Sequence, residues 1–368
     1  MTLHTENDRI PVAAAGVLLV ASIAEFNFVF GPRLTIAVAG NFAWIAIIPA
    51  AGLVALAVWV ATSLGRLYPG RTLAEIAPRV LGRSLGNLVV AVYIAYWLVR
   101  IGQLIQLQTY VFGVTLLEQT PRVAIALYIV LLSAYLAAGG IEPLSRVALL
   151  LAPAHVPLIA ITAAAFYTGD FGRLLPLEFP GVKAALSGVW SVFSNAPGVE
   201  VLLVVGPFLA GKGSTLKAAL VAVILLAVAA VTLTLALIAN FGVSDTHQFL
   251  MPTLELSRIA RAPGFEGFQL DPIFVVMWFA VTFTAIATIH YMAVLSLGRL
   301  FGARGRHWPL FATSAASALL GAYPLGAPQL FGAIEATRQV VVPVMSLGIP
   351  LLLLGTALAR RAISGTRG

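Results

Sequence analysis

The chain is a succession of long apolar runs separated by short charged turns. A helix that crosses a bilayer needs about 20 mostly apolar residues. Ten stretches read as such spans: 11–30, 42–62, 87–112, 122–139, 147–167, 184–210, 214–241, 272–298, 309–324 and 339–359. They are continuous, without the alternation of a membrane β-barrel strand, so each reads as helix. Of 368 residues, 60% are apolar and 10% charged, against about 25% charged in a soluble domain. Even a 300-residue soluble domain leaves about a quarter of its chain surface in water, and this composition cannot dress that surface. The expected fold class is therefore all-α integral membrane, with lipid as solvent. Cysteine is absent, which removes disulfides and thiolate metal sites, and no cofactor is expected. Ala37-Val38-Ala39 resembles a signal-peptide cleavage site, but the preceding run is too long and Gly31-Pro32-Arg33 intervenes, so the first span is expected to be retained.

The net charge of +8 is read through its distribution. With a cytoplasmic N-terminus, the inner segments hold Arg9, Arg66, Arg71, Arg79, Arg83, Arg146, Lys212, Lys217, Arg299, Arg304, Arg306, Arg360, Arg361 and Arg367, 14 in all. The outer loops hold 7: Arg33, Arg122, Arg173, Lys183, Arg258, Arg261 and Arg338. Lys and Arg concentrate on the cytoplasmic side of membrane proteins, so both termini are expected inside. The basic charge then encodes topology, and nucleic-acid binding is not expected.

Three charges fall well within spans: Glu25, Arg100 and Glu200. Ionisable groups at that depth are costly and mark function by default. Arg100 shares a helix face with Tyr93, Tyr96, Trp97 and Gln103. Two readings stand. A buried Arg–Glu pair locks helices together, or these groups line a polar cavity holding a charged ligand. In span six, Ser194-Asn195-Ala196-Pro197-Gly198-Val199-Glu200 predicts a helix break, because Pro197 lacks a backbone donor and Gly198 tolerates non-helical angles. Span one carries Ala24-Glu25-Phe26-Asn27 and then Gly31-Pro32 at the corresponding place one five-helix unit earlier. Interrupted spans at matching positions of two halves point to an inverted-repeat transporter fold with its site at the breaks. The repeats are expected at about 10–167 and 184–359 of one transmembrane domain covering residues 1–368.

Other polar residues carry less. His155 and His290 suit helix–helix hydrogen bonds, and Thr282, Thr284 and Thr288 suit bonds to their own backbone carbonyls. If span eight faces the breaks, Thr284 and Thr288 reach a ligand. Gln103, Gln106 and Gln108 sit on different faces, so at most one or two reach any cavity. No Walker loop, HExxH, Asp-rich pair or G-x-S-x-G elbow occurs, and the Gly211-Lys212-Gly213-Ser214 turn lacks the glycine spacing of a phosphate loop, so enzymatic activity is not expected.

Several segments resemble one family. Leu67-Tyr68-Pro69-Gly70-Arg71-Thr72-Leu73-Ala74-Glu75-Ile76 is similar to the P-x-x-T-L-x-E-I loop of the spore germination permeases, the B subunits of germinant receptors. Leu81 to Gly86, Tyr135, the Gly139-Gly140-Ile141-Glu142 turn with Arg146, Phe241-Gly242 followed by Pro252 to Arg258, and Ala39-Gly40 with Ala43-Trp44-Ile45 also resemble that family, in order, from about residue 30 to 300. The resemblance implies a ten-helix protein of the amino acid–polyamine–organocation superfamily, a LeuT-like five-plus-five inverted repeat with broken helices one and six. It implies a nutrient-sensing role in the bacterial cell membrane or spore inner membrane, with an A-type membrane subunit and a C-type lipoprotein as partners. The family has small residues where this chain has Ala24-Glu25-Phe26-Asn27, and often Asp where Phe42 stands, which points to a ligand other than the common neutral amino acid.

The expected function is thus a receptor subunit that binds a small nutrient, such as an amino acid, in a mid-membrane pocket. The alternative is a proton-coupled amino acid transporter of the same fold. The residues expected at the ligand are Ala24, Glu25, Asn27, Arg100, Gln103, Asn195, Gly198, Glu200, Thr284 and Thr288.

Overall fold

A computed structural model describes residues 9–211, 213–260, 269–323 and 325–365. Lys212, Arg261 and Arg367 of the charge count lie outside the described residues. All ten apolar runs carry helix, but several are interrupted. The first run is α1 (Val12–Asn27), a turn at Phe28–Phe30, and α2 (Gly31–Ala39). It is followed by α3 (Ala43–Leu67), a short connecting helix α4 (Leu73–Leu81), and the long α5 (Arg83–Thr115). Then come α6 (Arg122–Gly139), α7 (Ile141–Leu151) and α8 (His155–Ala164), the last two joined through a tight turn at Ala152–Ala154 that contains Pro153. The fifth run begins six residues earlier than 147 because Gly140, at φ +94°, starts the helix directly after α6.

The second half repeats the theme. α9 (Val182–Ser194) stops at Asn195, and α10 (Val201–Val205) resumes after the break. A two-residue parallel pairing joins β1 (Ile10–Pro11) to β2 (Leu209–Ala210). α11 (Thr215–Gln248) turns at Gly242, α12 (Pro252–Ile259) covers its end, and α13 (Asp271–Leu300), α14 (His307–Ala322), α15 (Ala327–Pro343) and α16 (Ile349–Gly365) complete the chain. A π-helical turn at Val344–Gly348 links the last two into one stretch. Among the described residues, 7 helical stretches are long and apolar enough to cross a membrane, while α1, at 16 residues, is shorter than a full crossing. The breaks divide the first and sixth runs into half-helices, and α14, at 16 residues, is short but unbroken.

Every residue of α13 from Val281 to Ser296 is buried, which makes it the central post. It packs along α5 and α6, and α1 lies between it and α11. Outward faces carry exposed Ile48, Leu131, Leu150, Phe311 and Leu319. In water such surfaces would drive association, whereas in lipid they are the solvated face. The buried apolar side chains form two clusters. The boundary between them crosses α1 between Ile23 and Ala24, and α15 between Ile334 and Val342. Charged residues occupy that boundary.

Candidate functional site at the two helix breaks

The break after α9 follows from two adjacent residues. Pro197 removes a donor, and Gly198 takes φ +112°, a region that side chains disfavour. A Cβ on Gly198 would lie 2.5 Å from the Ser22 Cβ and 2.9 Å from the Ser22 carbonyl oxygen. Glycine is therefore required both by its angle and by the close approach of α1. The freed Gly198 N–H donates to Glu200 Oε2 at 3.0 Å. A side chain of the break thus satisfies the backbone of the break.

The break after α1 is met from α13. The Glu25 carbonyl accepts from Trp278 Nε1 at 2.8 Å and Thr282 Oγ1 at 3.5 Å. The two breaks are also tied directly, because Asn27 Nδ2 donates to the Asn195 carbonyl as well as to Ile23 O at 2.9 Å. The Asn195 side chain itself bonds back to Ser191 O at 2.7 Å.

Between the breaks lie four buried charges. Arg100 Nη2 reaches Glu25 Oε1 at 2.9 Å and the Ser22 carbonyl at 2.8 Å, while its Nη1 reaches Glu200 Oε1 at 3.1 Å. Arg338, on α15, reaches Glu25 Oε1 at 3.1 Å and Oε2 at 3.4 Å, and the Asn195 carbonyl at 3.4 Å. Its guanidinium stacks on Phe26, 3.9 Å from the ring centroid, a cation–π contact. Ser346 Oγ adds a 3.4 Å bond to Glu200 Oε2. The order is Glu200–Arg100–Glu25–Arg338, two cations and two anions, so the formal charges cancel. Arg100 and Arg338 are 2% and 5% exposed, and both carboxylates are fully buried, which makes the compensation obligatory in a lipid-embedded interior.

Some polar atoms of this centre have no protein partner among the described residues. Ser22 Oγ, Tyr96 Oη, Trp97 Nε1, Arg100 Nε and Asn195 Oδ1 are all buried and unbonded. Native interiors leave few such groups, and each calls for a water, an ion or a ligand.

Two cavities flank the centre. One, of about 490 Å³, is bounded by Phe26, Phe30, Arg33, Phe331 and Glu335 and reaches the same Phe26 that carries Arg338. Phe30 lies between Phe26, on which it stacks, and Phe331, against which it is tilted, with centroids 5.0 Å apart on each side. The other is an apolar crevice of about 90 Å³ whose lining includes Ala24, Asn27, Thr35 and Ala196.

Of the residues expected from the sequence, Ala24, Glu25, Asn27, Arg100, Asn195, Gly198 and Glu200 gather at this junction. Gln103 lies one turn along α5 and bonds α15 instead, at Ala333 O (3.3 Å) and Thr337 Oγ1 (3.1 Å). Thr284 and Thr288 donate to their own helix, at Ala280 O (2.8 Å) and Thr284 O (2.7 Å). Trp278 and Thr282 are the α13 residues that touch a break. His290 bridges Ser133 at 3.0 Å and Thr313 and Ser314 at 3.2 Å each, a helix–helix tie of the expected kind. Arg338 is a correction. The sequence reading starts the tenth span at 339 and counts Arg338 among seven outer-loop cations, whereas the helix begins at Ala327 and buries Arg338, which leaves six. Its signal is a stripe at helical spacing, Leu330, Ile334, Arg338 and Val342, all buried.

The profile of a family described as spore germination protein matches residues 9–323. The chain belongs to the spore germination permease family. Similar relatives of this permease include spore germination protein YndE of Bacillus subtilis (strain 168), 22% identical over 302 residues that cover 81% of the chain and 83% of the relative. Spore germination protein A2 of the same organism is 21% identical over 260 residues, covering 70% and 71%. Among solved structures, the crystal structure of MhsT in complex with L-phenylalanine superposes with a TM-score of 0.65 at 14% identity, covering 94% of this chain and 90% of that one. That likeness gives the fold: the permease is an all-α, LeuT-like, multi-pass membrane protein, with its first and sixth helices broken.

Proposed function

We propose that this permease is the nutrient-sensing subunit of a spore germinant receptor, and that a small molecule such as an amino acid binds at the junction of its two breaks. The observation that carries the reading is the junction itself. Two interrupted helices meet over a fully buried, charge-balanced tetrad whose surroundings include unbonded donors and acceptors of both kinds. The family match supports the germination role, and interrupted helices at matching positions of two halves, a general mark of transporter ligand sites, support this location.

The geometry suggests how binding becomes a signal. A carboxylate arriving past Phe26 meets Arg338, whose bonds to Glu25, at 3.1 and 3.4 Å, are longer than the 2.9 Å bond that Glu25 makes with Arg100. Its planar guanidinium donates to the arriving carboxylate bidentately. Glu25 then keeps Arg100, while α15 is released from α1. The ligand favours that second arrangement by its differential affinity for it. In this reading the chain crosses the membrane ten times as two repeats, about 10–167 and 184–359, with both termini cytoplasmic. An A-type membrane subunit and a C-type lipoprotein receive the change. Thr284, Thr288 and Gln103 join the ligand shell only if the bundle rearranges around it.

A proton-coupled transporter would share this fold. Proteoliposomes containing the purified chain, with an imposed proton gradient and radiolabelled L-amino acids, separate the two. A sensor gives saturable binding without accumulation inside the vesicles. Gradient-driven accumulation of any amino acid would contradict the sensor reading.

A further inference from the structure

A further cavity lies near the start of α1, away from its break, where connections rich in Lys and Arg gather. Its volume is about 500 Å³, and it opens between the end of α3, the end of α10 and the start of α11. Its polar rim includes Arg66, Arg71, Ser214 and Thr215, and its wall includes Leu202 and Leu203 of α10. No carboxylate lines it among the described residues. Arg66 bonds Ser63 Oγ at 3.3 Å, and neither Arg66 nor Arg71 has an acidic partner among the described residues. Arg361, on the last helix, donates to Leu67 O at 2.8 Å and adds a third cation at the end of α3.

The cavity is thus basic at its mouth and apolar within, and it sits where two apolar spans end. That is the depth at which phospholipid headgroups lie, and basic pockets between spans take anionic headgroups. We propose that this cavity binds the phosphate of an anionic phospholipid, with Arg66 and Arg71 on the phosphate and the acyl chains along the adjoining helix faces. Because α10 follows Glu200 directly, the occupant braces the half-helix that carries one end of the charged tetrad.

Guanidinium groups suit phosphate oxygens. A basic residue near an anionic headgroup contributes about 1 kcal/mol, so removing two weakens binding roughly thirtyfold. The test uses the full chain in detergent and native mass spectrometry with phosphatidylglycerol, phosphatidylcholine and, separately, glycerol 3-phosphate. The wild type should retain phosphatidylglycerol in preference to phosphatidylcholine, and Arg66→Gln/Arg71→Gln should lose that preference. Arg122→Gln, near the other end of the bundle, should keep it. Melting in phosphatidylcholine should be the same for all three proteins, which separates lost binding from lost folding. If glycerol 3-phosphate binds the wild type but not the double variant, and phosphatidylglycerol shows no preference, the occupant is a free phosphate ester and the lipid assignment is overturned. Equal phosphatidylglycerol retention by wild type and double variant would overturn the site.

Discussion

Arg100 sits between two carboxylates, and the order of charges makes its removal informative. In Arg100→Ala, Glu25 still has Arg338 at 3.1 Å. Glu200 keeps the Gly198 N–H at 3.0 Å and Ser346 at 3.4 Å but has no cation. A buried ion left without its partner costs about 3–5 kcal/mol. The two double variants should then diverge. Arg100→Ala/Glu200→Ala leaves the neutral Glu25–Arg338 pair and should recover most of the loss. Arg100→Ala/Glu25→Ala leaves Glu200 and Arg338, which are not within ion-pair distance of each other among the described residues, and should recover little or become worse. Unfolding of the detergent-solubilised chain by increasing sodium dodecyl sulfate gives the four free energies of each cycle, and the coupling term isolates each contact. Equal recovery in both doubles would refute the linear order Glu200–Arg100–Glu25–Arg338. A wild-type stability for Arg100→Ala would refute the idea that these charges need one another.

Other substitutions follow from the same contacts. Gly198→Ala should cost about 2–4 kcal/mol in the same unfolding assay, from overpacking against Ser22 and from its positive φ, and Ser22→Gly should recover only the part due to the Ser22 Cβ, because the Ser22 backbone stays 2.9 Å away. Trp278→Phe removes the 2.8 Å donor to the Glu25 carbonyl and should destabilise by about 1–3 kcal/mol while leaving the apolar packing of α13 largely in place. Arg338→Lys keeps the charge but loses the fork and the stack on Phe26, so it should fold yet weaken the nutrient response, whereas Arg338→Gln should also lose stability. Arg299→Gln cuts the 2.8 Å bridge to Glu75 that ties α4 to α13 and the bond to Thr72; because the Arg299 side chain is only 9% exposed, the loss should be about 1–3 kcal/mol.

Much of this was legible in the sequence because lipid leaves the chain few choices. Apolar runs must become helices, and a charge within one must find a partner. Pro197-Gly198 announced its break through missing donors and tolerated angles, and Glu25, Arg100 and Glu200 announced themselves by depth. Arg338 escaped because the window that marks a span averages hydropathy, and Glu335, Gln339 and Arg338 itself dilute the start of α15. Only the stripe of period near four shows that this stretch faces inward. Trp278 and Thr282 were hidden for another reason. Their role depends on the rotation of α13 about its axis relative to α1: at Thr282 the helix is buried on every side, and around Trp278 the exposed positions Ile273 and Val276 are as apolar as the buried ones, so neither stretch has an amphipathic face from which to read that rotation.

The central claim is that a nutrient binds where the two breaks meet. Equilibrium binding of each radiolabelled L-amino acid to the purified full chain in nanodiscs tests it most directly. At least one amino acid should give saturable binding that Asn27→Ala or Arg338→Lys weakens at least tenfold, while Arg146→Gln, on an exposed surface pair with Glu142, leaves it unchanged. Saturable binding that none of the junction substitutions alters would contradict a site at the breaks.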